Sequence, residues 1–130
     1  MSTDRRPVNA PEAPAAIGPY VHAVAAGGLL FCSGQIPLDP ATGELVGTTY
    51  GEQAEQALRN LRAVVEAAGA TMADVVRATV YLTDMDAFAE VNEAYARAFP
   101  TDPPARAAVG VAQLPKGALV EVDAIVALPD

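Results

Sequence analysis

The segment "TTYGEQAEQALRNLRAVVEAAGA", residues 48–70, constrains the fold most, because its pattern predicts one long amphipathic helix. Thr49 and Glu52 have capping-box spacing, and Gly69 stands where a helix would end in the left-handed region. Apolar residues recur at helical spacing on one face: Ala54, Ala57, Leu58, Leu61, Val64, Val65 and Ala68. We therefore expect a helix that packs by one side against another layer.

A strand and a second helix follow. The run "VVRATVYLT" is rich in β-branched residues and predicts a strand. The segment "DMDAFAEVNEAYARAF" then places Phe88, Val91, Tyr95 and Phe99 on one stripe and stops at Pro100. Both helices thus have a single apolar side.

Pairs of predicted strands stand at both ends of the chain. "YVHAVAAGGLLFCSGQIPL" gives two strands around a hairpin signal at residues 26–28, and "LPKG" divides the last two strands. The order β-β-α-β-α-β-β predicts an α+β domain with two helices packed on one face of a mixed sheet. The other face would expose many apolar side chains, so we expect a homo-oligomer in which another subunit covers it.

Length and charge limit the function. A chain of 130 residues predicts one domain, residues 13–130, preceded by a flexible arm, residues 1–12, that lacks the apolar core of a signal peptide. A net charge of −8 argues against nucleic acid as a partner, since phosphate binding depends on clustered Lys and Arg. No apolar run approaches the roughly 20 residues of a membrane-spanning helix. We expect a soluble cytoplasmic protein.

The only cysteine and the only histidine restrict the chemistry. Cys32 has no partner for an internal disulfide, and we interpret it as a buried small apolar residue. His22 is interpreted as a strand-face residue without catalytic consequence. With one Cys and one His, a zinc site within one chain and a Ser-His-Asp triad are both disfavoured.

Arg106 opens an apolar strand, which is an unusual place for a guanidinium. Its side chain could simply reach water from the strand end. If the strand starts near Ala105, however, Arg106 shares a face with Ala108, Gly110 and Ala112, which leave open space beside it. A planar fork beside a cavity suits bidentate recognition of a small carboxylate.

Glu121 interrupts the last strand in a similar way. It could belong to a solvated strand face, or it could be a carboxylate in a partly apolar cleft, where burial raises the pKa and makes it useful as a base. In a tight hairpin of the last two strands, Arg106 would lie opposite roughly residue 126, on the order of 16 Å from Glu121 at about 3.3 Å per residue. A shared site therefore requires that these strands are not hairpin partners, or that the two residues come from different subunits.

Four further polar or small residues are weaker candidates. Tyr20 stands at a loop-to-strand junction, as a site donor or a surface group. Ser33 and Gly34 end the second strand, where a glycine permits a ligand to approach the backbone. Asn92 lies beside the apolar stripe of the second helix and could be a simple boundary residue.

Several of these segments resemble one known family. "APAAIGPYVHAV", "FCSGQIPLDPATGEL", "TVYLTDMDAFAEVNEAYARAF" and "PARAAVGVAQLPKGALVEVDAIVAL" are similar, in order and spacing, to the RidA family, also called the YjgF/YER057c/UK114 family. The resemblance implies a chorismate-mutase-like (RidA-type) fold, a homotrimer with clefts between subunits, and 2-iminobutanoate/2-iminopropanoate deaminase activity. This activity hydrolyses imines such as those derived from 2-aminoacrylate to 2-keto acids and ammonia, without metal or organic cofactor.

The resemblance also implies roles for single residues. Arg106 matches the arginine that holds the substrate carboxylate, and Glu121 matches the acid associated with the attacking water. The positions that match other parts of the cleft are Tyr20, Ser33, Gly34 and Asn92. Many members read "PARSCV" and "GPYSQAV", where this chain has Ala107, Ala108, Val21 and His22. Because imine hydrolysis needs no thiol nucleophile, Ala108 bears on substrate preference more than on activity.

Two other functions remain open at this point. A regulatory trimer could hold small carboxylates through Arg106 without turnover. The ribonuclease or translation-inhibitor role of some relatives is disfavoured by the net charge of −8.

Overall fold

In the computed structural model, which describes residues 4–129, six strands form one sheet and two α-helices lie on one face of it. The elements in chain order are β1 (Arg5–Val8), β2 (Ala23–Ala26), β3 (Leu29–Gln35), α1 (Tyr50–Ala67), β4 (Val75–Leu82), α2 (Phe88–Ala98), β5 (Ala105–Gly110) and β6 (Val120–Ala127). Short 3-10 turns precede β4, α2 and β6. The α+β class, the mixed sheet and the two helices on one face are confirmed.

Helix α1 begins and ends where its sequence predicts. The Thr49 hydroxyl accepts a hydrogen bond from the Glu52 amide at 3.1 Å, and the Glu52 carboxylate accepts one from the Thr49 amide at 3.2 Å, which completes the capping box. Gly69 has φ +86°, the left-handed conformation that commonly ends a helix. The face predicted to pack is buried against the sheet.

The strand order across the sheet is β1-β2-β3-β6-β4-β5. Strands β2 and β3 form the predicted hairpin, with Gly27 at φ +60° and Gly28 at φ +79° in the turn. Strands β4 and β5 pair in parallel, and the other neighbours are antiparallel. Helix α2 connects β4 to β5, which lies on the side of β4 away from β6. The last two strands, β5 and β6, are therefore not hairpin partners.

The two faces of the sheet differ in cover. In β6, Val120, Val122, Ala124 and Val126 are buried under the helices, while alternate residues point to the other face and are half-buried. On that open face, Phe31 lies opposite Ile125 and is 45% exposed. The helices therefore leave one face of the sheet uncovered, and this face carries apolar side chains at Phe31 and Ile125 beside the carboxylates of Glu121 and Asp123.

The segment predicted as a flexible arm contains an additional strand. Residues Arg5–Val8 pair antiparallel with Ala23–Ala26, so that part of the prediction is wrong; residues 1–3 lie outside the described part of the chain. The strand satisfies backbone groups along the outer edge of β2, and a charged segment with a proline suits an edge position. "RRPV" lacks apolar alternation, which is why the sequence pattern does not reveal it.

Neither α1 nor α2, within residues 4–129, has the length and apolar character that a bilayer-spanning helix needs.

Candidate active site

Four of the predicted site residues line one cavity, of about 290 Å³, beside the end of β3. These are Tyr20, Ser33, Gly34 and Glu121. The other walls are Pro14, Ala15, Ile17, Gln35, Ile36, Leu38 and Pro115. The cavity thus joins a carboxylate and two hydroxyl groups to mostly apolar walls, the mixture that small-molecule sites use.

A break in the β3–β6 register shapes the floor of this cavity. Pairing is regular up to Cys32 opposite Ala124 and resumes at Gln35, so Ser33 and Gly34 lie in an irregular stretch. A methyl group on Gly34 would stand 2.8 Å from Cδ of Glu121 and closer still to its Oε2. Only a glycine therefore leaves Glu121 in its observed position.

Glu121 lies in surroundings that favour its protonated form. Burial, followed by the negative charge of Asp123, raises the pKa of the Glu121 carboxyl above its usual range. Asp123 is on the same face two residues along β6, and it accepts a hydrogen bond of 3.0 Å from the Tyr81 hydroxyl. Tyr81 itself lies opposite Glu121 on β4. A carboxylate whose pKa is raised is a stronger base, which suits it to accept a proton.

The hydroxyl groups on the cavity wall have hydrogen bonds within the chain. Ser33 Oγ donates to the Val21 carbonyl at 2.6 Å, and the Tyr20 hydroxyl accepts from the Ile17 amide at 3.3 Å. Ser33 is half-buried and Tyr20 is exposed. Tyr20 retains its hydroxyl proton for donation to a ligand, whereas the Ser33 proton is already used.

Arg106 and Asn92 form a second group elsewhere. The Arg106 guanidinium donates to Asn92 Oδ1 at 2.6 Å and lies over the rings of Phe88 and Tyr95, 5.2 and 4.8 Å from their centroids. These contacts fix the plane of the fork, while Arg106 remains exposed. Since a guanidinium carries five N–H donors, most of them stay free for an anion.

Within one chain, the two groups are separated. Arg106 lies opposite Ala78 and Glu121 opposite Tyr81, on either side of β4, which places their Cα atoms roughly 14 Å apart for strand spacings of about 4.8 Å and a rise of about 3.3 Å. Ala78 and Tyr81 are three residues apart, so Arg106 points to the helix-covered face and Glu121 to the open face. No small ligand reaches both from a single chain.

Some residues around these groups were not predicted as functional. Phe88 and Tyr95 form the platform under Arg106, although the sequence pattern shows them only as part of an apolar stripe. The Tyr95 hydroxyl is buried without a hydrogen-bond partner among residues 4–129. The sequence shows Tyr81 only as part of a predicted strand. That Tyr81 lies opposite Glu121 follows from the strand register, which the sequence pattern does not give.

Two other features, the Cys32 thiol and the groove between α1 and α2, do not bring predicted site residues together. Cys32 is buried, as expected, and burial, followed by the charge of Asp123, raises its thiol pKa to about 12, so it is a poor nucleophile. A larger groove of about 620 Å³ lies between α1 and α2, but its Arg59 and Arg62 are paired with Glu55 and Glu66. Within the described range, no three His, Cys, Asp or Glu side chains converge as a metal site.

Comparison with known proteins identifies the class to which this fold and cavity belong. The profile of the Ribonuc_L-PSP family, described as Endoribonuclease L-PSP, matches residues 10–128. The chain is 49% identical over 122 residues to a RutC family protein, y4sK, of Sinorhizobium fredii, covering 94% of this chain and 97% of that protein. It is 45% identical over 121 residues to the human 2-iminobutanoate/2-iminopropanoate deaminase, covering 93% and 88%.

A solved structure gives the same result. The crystal structure of E. coli TdcF with bound serine superposes with a TM-score of 0.91 at 40% identity, covering 95% of this chain and 99% of that one. The chain therefore belongs to the Endoribonuclease L-PSP family, the RidA/YjgF family that its sequence resembles.

Proposed function

We propose that this protein hydrolyses reactive 2-imino acids, among them 2-iminopropanoate and 2-iminobutanoate, to 2-keto acids and ammonia. The observation that carries the proposal is the Arg106 guanidinium, held in one plane by Asn92 and two aromatic rings yet open to solvent. A preoriented fork with free donors fits a small carboxylate. Mammalian relatives at 45–47% identity are named as deaminases of such substrates, and the TdcF structure contains a bound amino acid.

Glu121 supplies the base in this proposal. Its raised pKa keeps the carboxylate basic enough to take a proton from water, and its position in a mostly apolar cavity limits competing solvent. Asn92 positions Arg106, while Tyr20, Ser33 and Gly34 form the wall that receives the rest of the substrate.

The site requires two subunits of a homotrimer. Arg106 and Glu121 lie on opposite faces of the sheet, so a cleft that contains both combines Arg106 of one subunit with Glu121 of a neighbour. The open apolar face around Phe31 and Ile125 is the surface that such an assembly would cover.

The chemistry proceeds in two stages. Arg106 holds the carboxylate of the protonated imine, and Glu121 takes a proton from a water whose oxygen bonds to C2. The carbinolamine then receives that proton on nitrogen. The C–N bond breaks with its electron pair on nitrogen, and Glu121 takes the remaining hydroxyl proton as the carbonyl forms. Transfer of that proton to the released ammonia regenerates the carboxylate. Because an iminium ion is already electrophilic, positioning and proton transfer suffice.

The first test replaces the carboxylate clamp. In Arg106→Ala, we expect the accelerated release of ammonia from imines generated by an amino-acid oxidase or a threonine dehydratase to disappear, because no Lys or Arg among residues 4–129 lines the cavity at Glu121. Arg59→Ala, which removes an exposed arginine on α1 paired with Glu55, is the matched control and should retain wild-type rates. Undiminished activity in Arg106→Ala would contradict the assignment.

Two alternatives give different results in the same experiments. Stable binding of 2-keto acids without imine turnover by the wild-type protein would indicate a carboxylate-binding regulatory trimer. The family description names an endoribonuclease, so RNA cleavage is worth assaying. At a net charge of −8, we expect no RNA binding that weakens steeply with salt.

A further inference from the structure

His22 is buried immediately before β2, with 7% of its surface exposed, and both nitrogens of its ring have partners. The Ala10 amide donates to Nδ1 at 2.8 Å, and Nε2 lies 2.8 Å from the Pro14 carbonyl oxygen. The sequence pattern indicates only a strand-face residue, so these two bonds are a feature that the fold alone reveals.

The two partners determine the protonation state of the ring. A backbone amide can only donate and a carbonyl can only accept, so Nδ1 must be unprotonated and Nε2 must carry the hydrogen. His22 is therefore neutral, with a single defined tautomer, when both bonds are present.

These bonds hold a segment that has no regular structure of its own. Residues 9–20 contain three prolines and no helix or strand. Ala10 and Ala13 are buried in the core, and both bonds to the His22 ring arise within residues 10–14. The same segment continues as the cavity wall at Pro14, Ala15, Ile17 and Tyr20, facing Glu121.

We propose that His22 is a positioning residue of the cavity, which fixes residues 10–14 and so places Ile17 and Tyr20 against the substrate. The inference rests on the proposed deaminase function for its kinetic consequence. His22 acts through the wall and touches neither the substrate nor the water. A glutamine would serve the same purpose, since its amide oxygen accepts and its amide nitrogen donates.

The kinetic test compares His22→Leu with His22→Gln. Leucine keeps an apolar side chain at the buried position but leaves the Ala10 amide and Pro14 carbonyl unpaired, and we expect kcat/KM for imine hydrolysis to fall about tenfold or more. His22→Gln should recover to within about threefold of wild type, since both bonds can form. All rates are taken well below the lowest melting temperature of the three proteins. Wild-type kcat/KM in His22→Leu would overturn the proposal, whatever the change in melting temperature.

A second readout does not depend on activity. Because the chain has one histidine, nitrogen NMR observes His22 without ambiguity. We expect one protonated and one unprotonated ring nitrogen, as the bonds to the Ala10 amide and the Pro14 carbonyl require. The Ala10 amide should be protected from hydrogen exchange in wild type and His22→Gln, and should exchange rapidly in His22→Leu. A doubly protonated ring, or an unprotected Ala10 amide in the wild type, would refute the positioning role. If the wild-type protein hydrolyses no imine, the proposed function fails, while these measurements still decide whether His22 holds the wall.

Discussion

At the scale of single residues, the environment of Glu121 raises the pKa of its carboxyl group. Its neighbour Asp123 accepts a hydrogen bond from the Tyr81 hydroxyl. Burial, and after it this hydrogen bond, raises the pKa of Tyr81. A negative charge thus stays close to Glu121 on the same face of β6. Burial and this charge act in the same direction on the Glu121 carboxyl.

This arrangement predicts a pH dependence. Since the proposed mechanism requires an ionised base, we expect activity above the raised pKa of Glu121 and its loss as the pH falls through that pKa. Asp123→Asn keeps an acceptor for Tyr81 but removes the charge, so the pKa of Glu121 should fall and the acid limb of kcat/KM should move to lower pH. The measurement is the pH profile of imine hydrolysis with the same imine source for every protein, so that protonation of the substrate is common to all.

Glu66→Gln is the control for that profile, because it removes a carboxylate on the exposed side of α1. We expect its acid limb to coincide with that of the wild type. An acid limb of Asp123→Asn that does not move, or that moves to higher pH, would contradict the claim that the charge of Asp123 raises the pKa of Glu121.

At the scale of elements, the irregular end of β3 brings the backbone close to Glu121. The Gly34→Ala variant should move the carboxylate from its place, because the added methyl group stands 2.8 Å from Glu121 Cδ. We expect kcat/KM to fall, by up to about a hundredfold for a displacement near 1 Å. Steady-state kinetics measure this loss, and a melting curve checks that the fold persists.

Gly51→Ala is the matched control for that substitution. Gly51 lies in the first turn of α1, where a Cβ would meet its nearest atom, the Glu90 carbonyl oxygen, at an ordinary 3.6 Å. Its activity should equal that of the wild type, with unfolding free energy unchanged or raised by up to about 1 kcal/mol. Equal activities of Gly34→Ala and the wild type would show that Glu121 tolerates displacement.

Most of the elements could be predicted because each depends on local pattern. The capping box at Thr49, the turn at Gly27 and Gly28, and the alternation in β6 all involve residues close in the chain. Strand β1 could not be predicted from local pattern, because it is stabilised by pairing with β2, which is distant in sequence. The insertion of β4 between β5 and β6 likewise depends on the path of α2 across the sheet.

At the scale of the whole molecule, the candidate site is divided between two faces of one sheet. The sequence predicts six site residues but not how they group, since grouping depends on register and on which face each residue occupies. They are Arg106, Asn92, Tyr20, Ser33, Gly34 and Glu121. The register shows two sets, one at Arg106 and one at Glu121, roughly 14 Å apart. That the two sets meet in one cleft is therefore a prediction about how the subunits assemble.

Mixing two inactive variants tests that claim most directly. Arg106→Ala and Glu121→Gln are produced together with different affinity tags, and hybrid trimers are purified and assayed for imine hydrolysis beside each variant alone. A cleft is intact when Glu121→Gln supplies the arginine and Arg106→Ala supplies the carboxylate. Every hybrid trimer contains two subunits of one variant and one of the other, so one of its three clefts is intact and about a third of the wild-type activity should return. Hybrid trimers as inactive as the separate variants would contradict the shared inter-subunit site.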